Sequence, residues 1–223
     1  MYRKLLIQAV IKFVSGVVLV GACIFVPAGS FAFMNGWLLM GVLFIPMFLA
    51  GVVMMIKNPE LLKKRLQAKE GHHEQRLAVT YSGLMFLAGF IAAGLHFRFG
   101  WHTLPKSIVT VAAVVFLAAY LLYAEVLREN TYLSRTIEVQ ENQKVIDSGL
   151  YGIVRHPMYL STLIMFLSMP MVLGSVLSLV FMLAYIPIIA KRIRNEEQVL
   201  EGGLEGYAEY KKRIRYKVIP FVW

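Results

Sequence analysis

The chain contains a single cysteine, few charges and no nucleotide-binding glycine fingerprint. Cys23 lies inside an apolar run and can close no internal disulfide. With no base near it in sequence, it reads as a small packing residue rather than a nucleophile. Only 16% of the 223 residues are charged, against about a quarter in an average soluble domain. No Gly-x-Gly-x-x-Gly occurs, which removes the usual signature of a dinucleotide-binding fold. Internal repeats, low-complexity stretches and a second soluble domain are also missing. Acidic residues are scarce, with 13 Asp and Glu against 23 Lys and Arg, a formal net charge of +10.

What is present is apolar. Hydrophobic residues make up 58% of the chain, and the mean hydropathy is +0.64. Several runs approach or exceed the roughly 18 apolar residues that span a bilayer. The expected fold is an all-α integral membrane protein with about five apolar segments, the last a long kinked helix or a helical hairpin, followed by a cytoplasmic C-terminal helix. A four-span membrane region over 1–127 and a C-terminal region over 128–223 are the expected units.

The basic charge follows topology rather than a nucleic-acid footprint. Lys and Arg gather at the N-terminus (Arg3, Lys4, Lys12), over 57–76, over 128–156 and after Ala190. Of the 23, only Arg98 and Lys106 fall in the remaining connection. That alternation is the positive-inside pattern, and it predicts cytoplasmic N- and C-termini and no nucleic-acid partner. Basic residues ahead of an apolar run also raise a cleaved signal peptide, but the run extends past Lys12 to about Pro27 and predicts a retained first span.

Expected spans cover about Phe13–Pro27, Trp37–Ile56, Leu77–Phe97 and Ile108–Leu127, with Trp37 as an interfacial anchor. The residues 59–70, PELLKKRLQAKE, begin with a helix-starting proline. They place Leu61, Leu62 and Leu66 among charges, as in an amphipathic helix on the membrane surface. His72 and His73 are adjacent, and His96 and His102 fall in a different connection. They read as interfacial polar residues, and no metal site is expected. The apolar stretch from Leu160 to Ala190 is too long for one crossing at about 1.5 Å per residue. A turn near Met169–Ser175, around Pro170 and Gly174, would bring Arg192 back to the side that carries Arg155.

Two polar clusters flank that stretch. The first reads Gly149-Leu150-Tyr151-Gly152, then Arg155-His156-Pro157-Met158-Tyr159. Pro157 disfavours helical geometry at His156 and marks a helix start, whose free backbone amides face whatever precedes it. The glycines permit close backbone approach. The second cluster is Arg192-Ile193-Arg194-Asn195-Glu196-Glu197, where Arg192 and Glu196 share a helix face. Ionisable groups at membrane depth are a functional-site hypothesis by default.

Gly149-Leu150-Tyr151, Arg155-His156-Pro157-Met158-Tyr159, Arg192, Glu196-Glu197 with Leu200, Tyr207-Ala208-Glu209-Tyr210 and Ile219-Pro220 occur in an order and spacing that resembles the isoprenylcysteine carboxyl methyltransferase family and the related phospholipid N-methyltransferases. The resemblance covers about residues 147–220. One departure is Leu204-Glu205, where the family often has an aromatic-Gly pair.

The resemblance implies an S-adenosylmethionine-dependent methyltransferase acting on a lipophilic or prenylated acceptor at the cytoplasmic membrane face, with membrane lipids as surroundings. It implies cofactor contacts from Tyr151, Arg155, His156, Pro157, Tyr159 and Glu197, with Glu197 on the cofactor's ammonium and the amides around His156–Tyr159 assisting. Arg192 would hold an acceptor carboxylate and Glu196 would orient Arg192. The alternatives are a phospholipid N-methyltransferase, a nicotinamide-dependent sterol-type reductase, which has a similar C-terminal Arg-His-Pro region, and a non-catalytic membrane lipid-binding protein.

Overall fold

A computed structural model describes all residues except 1, 67–72, 102 and 134–136, and it describes residues 2 and 73–76 by backbone alone. Among the described residues the secondary structure is helical throughout, with no strand. The long helices are α1 (Tyr2–Ala28), α2 (Met34–Lys57), α4 (His73–Arg98) and α5 (Lys106–Glu129). The shorter α3 (Pro59–Leu66) follows α2. After α5 come a 3-10 turn over Gly149–Gly152, then α6 (Pro157–Val172), α7 (Val176–Met182), α8 (Tyr185–Gly203) and α9 (Tyr207–Arg213). Five helical segments are long and apolar enough to cross a membrane, the last being Val176–Gly203. The protein is a multi-pass membrane protein.

Two sequence expectations are refined. The first helix begins well before Phe13 and runs through Lys12. Leu5, Leu6, Ile7, Val10 and Ile11 continue the apolar run, and the Lys12 ammonium donates to the backbone carbonyl of Leu66 at the end of α3. A long, flexible stem lets a lysine keep its charge satisfied without breaking an apolar helix. The surface helix expected over 59–70 is seen over Pro59–Leu66. The rest of that segment and His72, His102, Arg135 and Thr136 lie outside the described residues. Asn58 ends α2, and its side-chain oxygen accepts from the Leu61 amide to start α3.

The stretch after Leu160 is a hairpin. The α6 helix ends at Val172, and Gly174 takes φ +70°, a left-handed geometry open to glycine at little steric cost. Ser175 then caps α7 by accepting from the Ser178 amide at 3.1 Å. The turn sits at the far end of the bundle, where the Leu104 amide donates to the Gly174 carbonyl at 3.1 Å.

Helix α4 packs between α1 and α7, and α5 packs along α6. Small residues set the closest approaches, as in membrane bundles that lack a hydrophobic drive between helices. A Cβ on Gly94 would stand 2.5 Å from the Ile24 carbonyl oxygen, so α1 and α4 meet backbone to backbone there. The core is filled by Ile24, Leu39, Phe116, Val172, Met182 and Ile193, all essentially inaccessible. This arrangement puts the start of α6 beside the end of α8, at the same bundle end as the α2–α3 junction and the end of α5.

Candidate functional site

The two polar clusters meet at that end. Tyr159, in the first turn of α6, donates its hydroxyl to a carboxylate oxygen of Glu196 on α8. Arg192, one turn before Glu196, donates from Nε to the same phenol oxygen at 3.2 Å. A phenol therefore bridges the guanidinium and the carboxylate. Glu196 is expected to orient Arg192, and the Tyr159 hydroxyl contacts both of them.

Arg155 and Glu197 lie deeper. Arg155 Nε donates to Glu197 Oε1 at 2.8 Å with both side chains about nineteen-twentieths buried. The Arg155 Nη1 group also donates to the carbonyls of Ile214 and Arg215, at 2.6 and 2.8 Å. His156 Nε2 meets the same Glu197 oxygen at 3.2 Å. Facing a carboxylate oxygen, which can only accept, Nε2 is assigned as the donor. Lys211 on α9 adds a third partner, its Nζ 3.5 Å from the other oxygen of Glu197 and 2.8 Å from Glu201. The adjacent Glu201 carboxylate raises the Lys211 pKa, with Glu197 acting in the same direction. Glu197 is thus the common acceptor of an arginine, an imidazole and a lysine.

The backbone ties the first cluster to the tail. The amides of Arg155 and His156 donate to the carbonyls of Tyr216 and Lys217, at 3.0 and 2.8 Å. The Tyr159 amide donates back to the His156 carbonyl at 3.0 Å. These amides were expected to serve a cofactor, and here they build the site. Gly149 also differs from expectation. It holds φ +57°, and a Cβ there would collide with the carboxylate of Glu129. That carboxylate accepts from the Leu150 amide at 3.0 Å, so the close approach serves the junction between α5 and the 3-10 turn.

A narrow cleft of about 90 Å³, open on one side, lies above these contacts. Of the residues singled out in the sequence, Tyr151, Arg155, His156, Tyr159, Arg192 and Glu196 line it, whereas Pro157 and Glu197 stand behind the lining. The opposite wall is the polar connection after α5, through Tyr132, Ile137, Lys144 and Val145. Its floor is Leu200, Leu204, Tyr207 and Tyr210. Tyr210 donates to the Tyr151 carbonyl at 2.8 Å, and Asn130 donates to the Tyr151 hydroxyl at 2.9 Å.

Tyr207 is the exception. Its hydroxyl is buried with no hydrogen-bond partner among the described residues. Burial first, then the Glu197 and Glu196 carboxylates, push its pKa up, so it stays a neutral donor. In the sequence Tyr207 and Tyr210 stand in one motif, and neither has an expected contact. Glu129 and Lys211 had no sequence signal, because each acts on a partner remote along the chain.

The segment running from early α5 to the end of α8 contains the hairpin and both clusters. Residues 109–202 match the isoprenylcysteine carboxyl methyltransferase (ICMT) family. The chain is also 36% identical over 91 residues to Delta(14)-sterol reductase TM7SF2 of Mus musculus, an alignment that covers 40% of this chain and 22% of that protein. The matched stretch therefore covers less than a quarter of the length of that relative. The family match takes in Tyr151, Arg155, His156, Pro157, Tyr159, Arg192, Glu196 and Glu197, and it stops before Tyr207 and Lys211. The ICMT-type segment supplies the cleft's two polar arms, and residues beyond it supply the floor.

Proposed function

We propose that this protein is a membrane-embedded, S-adenosylmethionine-dependent methyltransferase that modifies a lipophilic acceptor at the cleft. The observation that carries the reading is the coincidence of the ICMT-family segment with the hairpin whose polar ends form that cleft. Such a placement suits a substrate drawn from a bilayer, because the cleft is lined by the polar ends of helices that are otherwise apolar.

The donor set fits the cofactor's chemistry. A neutral Tyr207 hydroxyl without a partner offers a hydrogen bond to a polar atom of the ligand. The rings of His156 and Tyr159, with centroids 5.6 Å apart, together with Val145, Leu200 and Leu204, offer an apolar wall to adenine. Glu196 offers a carboxylate to a cationic group, and Lys144 offers a cation to an anionic one. When bound, S-adenosylmethionine supplies an electrophilic methyl group. Residues of the chain then have to align the acceptor and exclude water, which is where most of the acceleration of such a displacement arises. Arg192, held by the Tyr159 phenol, is assigned to the acceptor. A carboxylate acceptor needs no strong base, and the planar guanidinium fork matches it. Arg155, Pro157 and Glu197 are assigned to positioning His156 and the tail. The Lys and Arg bias assigns this end of the bundle, and both termini, to the cytoplasm.

The similarity to a sterol reductase favours a second reading, a nicotinamide-dependent reductase. Titration calorimetry of the purified protein separates the two. Saturable binding of S-adenosylhomocysteine without binding of a reduced nicotinamide nucleotide is the expected outcome, and the reverse pattern would overturn the methyltransferase reading.

A further inference from the structure

A second cavity lies away from the cleft, between α2 and α5. It is lined on one side by Pro46, Leu49, Ala50, Val53, Met54 and Lys57. On the other are Leu117, Tyr120, Leu121, Ala124, Leu127 and Arg128, with Leu61 of α3 closing one end. Its volume is about 680 Å³, within the roughly 300–1,000 Å³ of sites that hold a small molecule. The groove begins at Pro46, which removes one backbone hydrogen bond inside α2.

Its length and polarity match one class of occupant. At about 1.5 Å per residue, the wall from Pro46 to Lys57 is about 17 Å long. Half of a bilayer's hydrocarbon core, itself about 30 Å thick, is about 15 Å. The groove therefore has the depth of one leaflet. Its wall is aliphatic and aromatic until the end, where Lys57 and Arg128 stand on opposite sides, with Asn58 and Thr131 beside them. Both cations occupy the last turn of their helix, where they also complement the helix dipole. Glu125 takes both donor edges of Arg128, at 2.8 and 2.5 Å. Lys57 makes no ion pair among the described residues, so it is the dominant site for an anion.

We propose that the α2–α5 groove binds one anionic glycerophospholipid, an acyl chain lying along the apolar wall and the phosphate resting on Lys57 and, secondarily, Arg128. The proposal rests on the membrane-spanning fold alone and is independent of the methyltransferase reading. An apolar slot without a charged rim would accept any lipid. A cationic rim at headgroup depth adds selectivity for a net negative headgroup, because juxtamembrane cations attract anionic lipids.

Native mass spectrometry of the full chain, released from nanodiscs holding equal phosphatidylglycerol and phosphatidylcholine, reads retained lipid directly. Phosphatidylglycerol should be retained at least five-fold over phosphatidylcholine. Lys57→Gln should bring the two to near parity. Ala124→Trp, which fills the slot, should abolish retention of both, and Ala50→Trp on the opposite wall reads the same if the first variant does not fold. Equal retention by the wild-type chain, no retained lipid, or a preference that survives both Lys57→Gln and the filled slot would overturn the proposal. So would displacement of phosphatidylglycerol by one equivalent of a prenylated carboxylic acid, which would assign the groove to the acceptor.

Discussion

Arg155 Nε and Glu197 Oε1 face each other at 2.8 Å, and the same guanidinium holds the carbonyls of Ile214 and Arg215. Removing one partner of a buried ion pair leaves an uncompensated charge and costs about 3–5 kcal/mol. Glu197→Ala should therefore lower the melting temperature in detergent and expose residues 207–217 to protease, with loss of ligand binding as a consequence. An unchanged melting curve would show that the pair contributes nothing to stability and return Glu197 to a direct contact with the cofactor.

Tyr207 and Tyr210 lie one helical turn apart with different duties. Tyr210→Phe deletes a hydrogen bond to the Tyr151 carbonyl and should cost about 1 kcal/mol of stability. Tyr207→Phe deletes a hydroxyl that has no partner among the described residues and should leave the melting temperature unchanged or higher. It should nonetheless weaken S-adenosylhomocysteine about five-fold by calorimetry, the equivalent of about 1 kcal/mol. Full affinity in Tyr207→Phe would place the ligand away from that floor.

Arg192→Lys separates binding from turnover. Lysine keeps the charge but loses the planar fork and the Nε donor to Tyr159. S-adenosylhomocysteine affinity should stay within about two-fold of wild type, whereas methyl transfer should fall ten-fold or more, since about 1.4 kcal/mol of lost alignment gives that factor. Equal loss of both would move Arg192 into the cofactor pocket, and full activity would leave it a topological anchor.

Gly149→Ala should destabilise the protein by at least the 1–2 kcal/mol of a left-handed non-glycine residue, because its Cβ also meets the Glu129 carboxylate. Thermal melts of Gly149→Ala and Gly152→Ala compare the two. The second position has the Asp147 carbonyl 3.2 Å away and no positive φ, so it should be the milder.

Sidedness is testable with single cysteines on a Cys23→Ser background. Ser30, in the α1–α2 turn, and Lys63, on α3, lie at opposite ends of the bundle. Impermeant maleimide added to intact cells should label Ser30→Cys and not Lys63→Cys, and the opposite result would invert the assigned orientation.

The membrane frame was legible in the sequence because apolar length and charge alternation are local signals. Lys12 marks where that logic fails. Its charge suggested a late helix start, but the Leu66 carbonyl that accepts its hydrogen bond lies beyond a second helix. The hairpin was legible as one of two options, and Gly174 with Ser175 decides between them. The site was legible as residue types rather than as contacts. Tyr159 joins Arg192 to Glu196, and Glu197 gathers Arg155, His156 and Lys211, across separations that no spacing rule reaches. The cleft wall after α5 was visible only as a polar stretch, since an irregular segment carries no periodicity to say which way it faces.

The stitching of Arg155 and His156 to Tyr216 and Lys217 has a consequence for the order of assembly. All the long helices precede residue 204 and can enter the bilayer as they leave the ribosome. The cleft's floor cannot exist until residues 207–217 have been synthesised and have folded back across about sixty residues of chain, a closure whose entropic cost rises only slowly with length. A chain arrested before residue 207 would have its long helices but no complete cleft floor, with the Arg155 guanidinium still lacking two of its carbonyl acceptors. Docking of the tail is the step that completes the cleft.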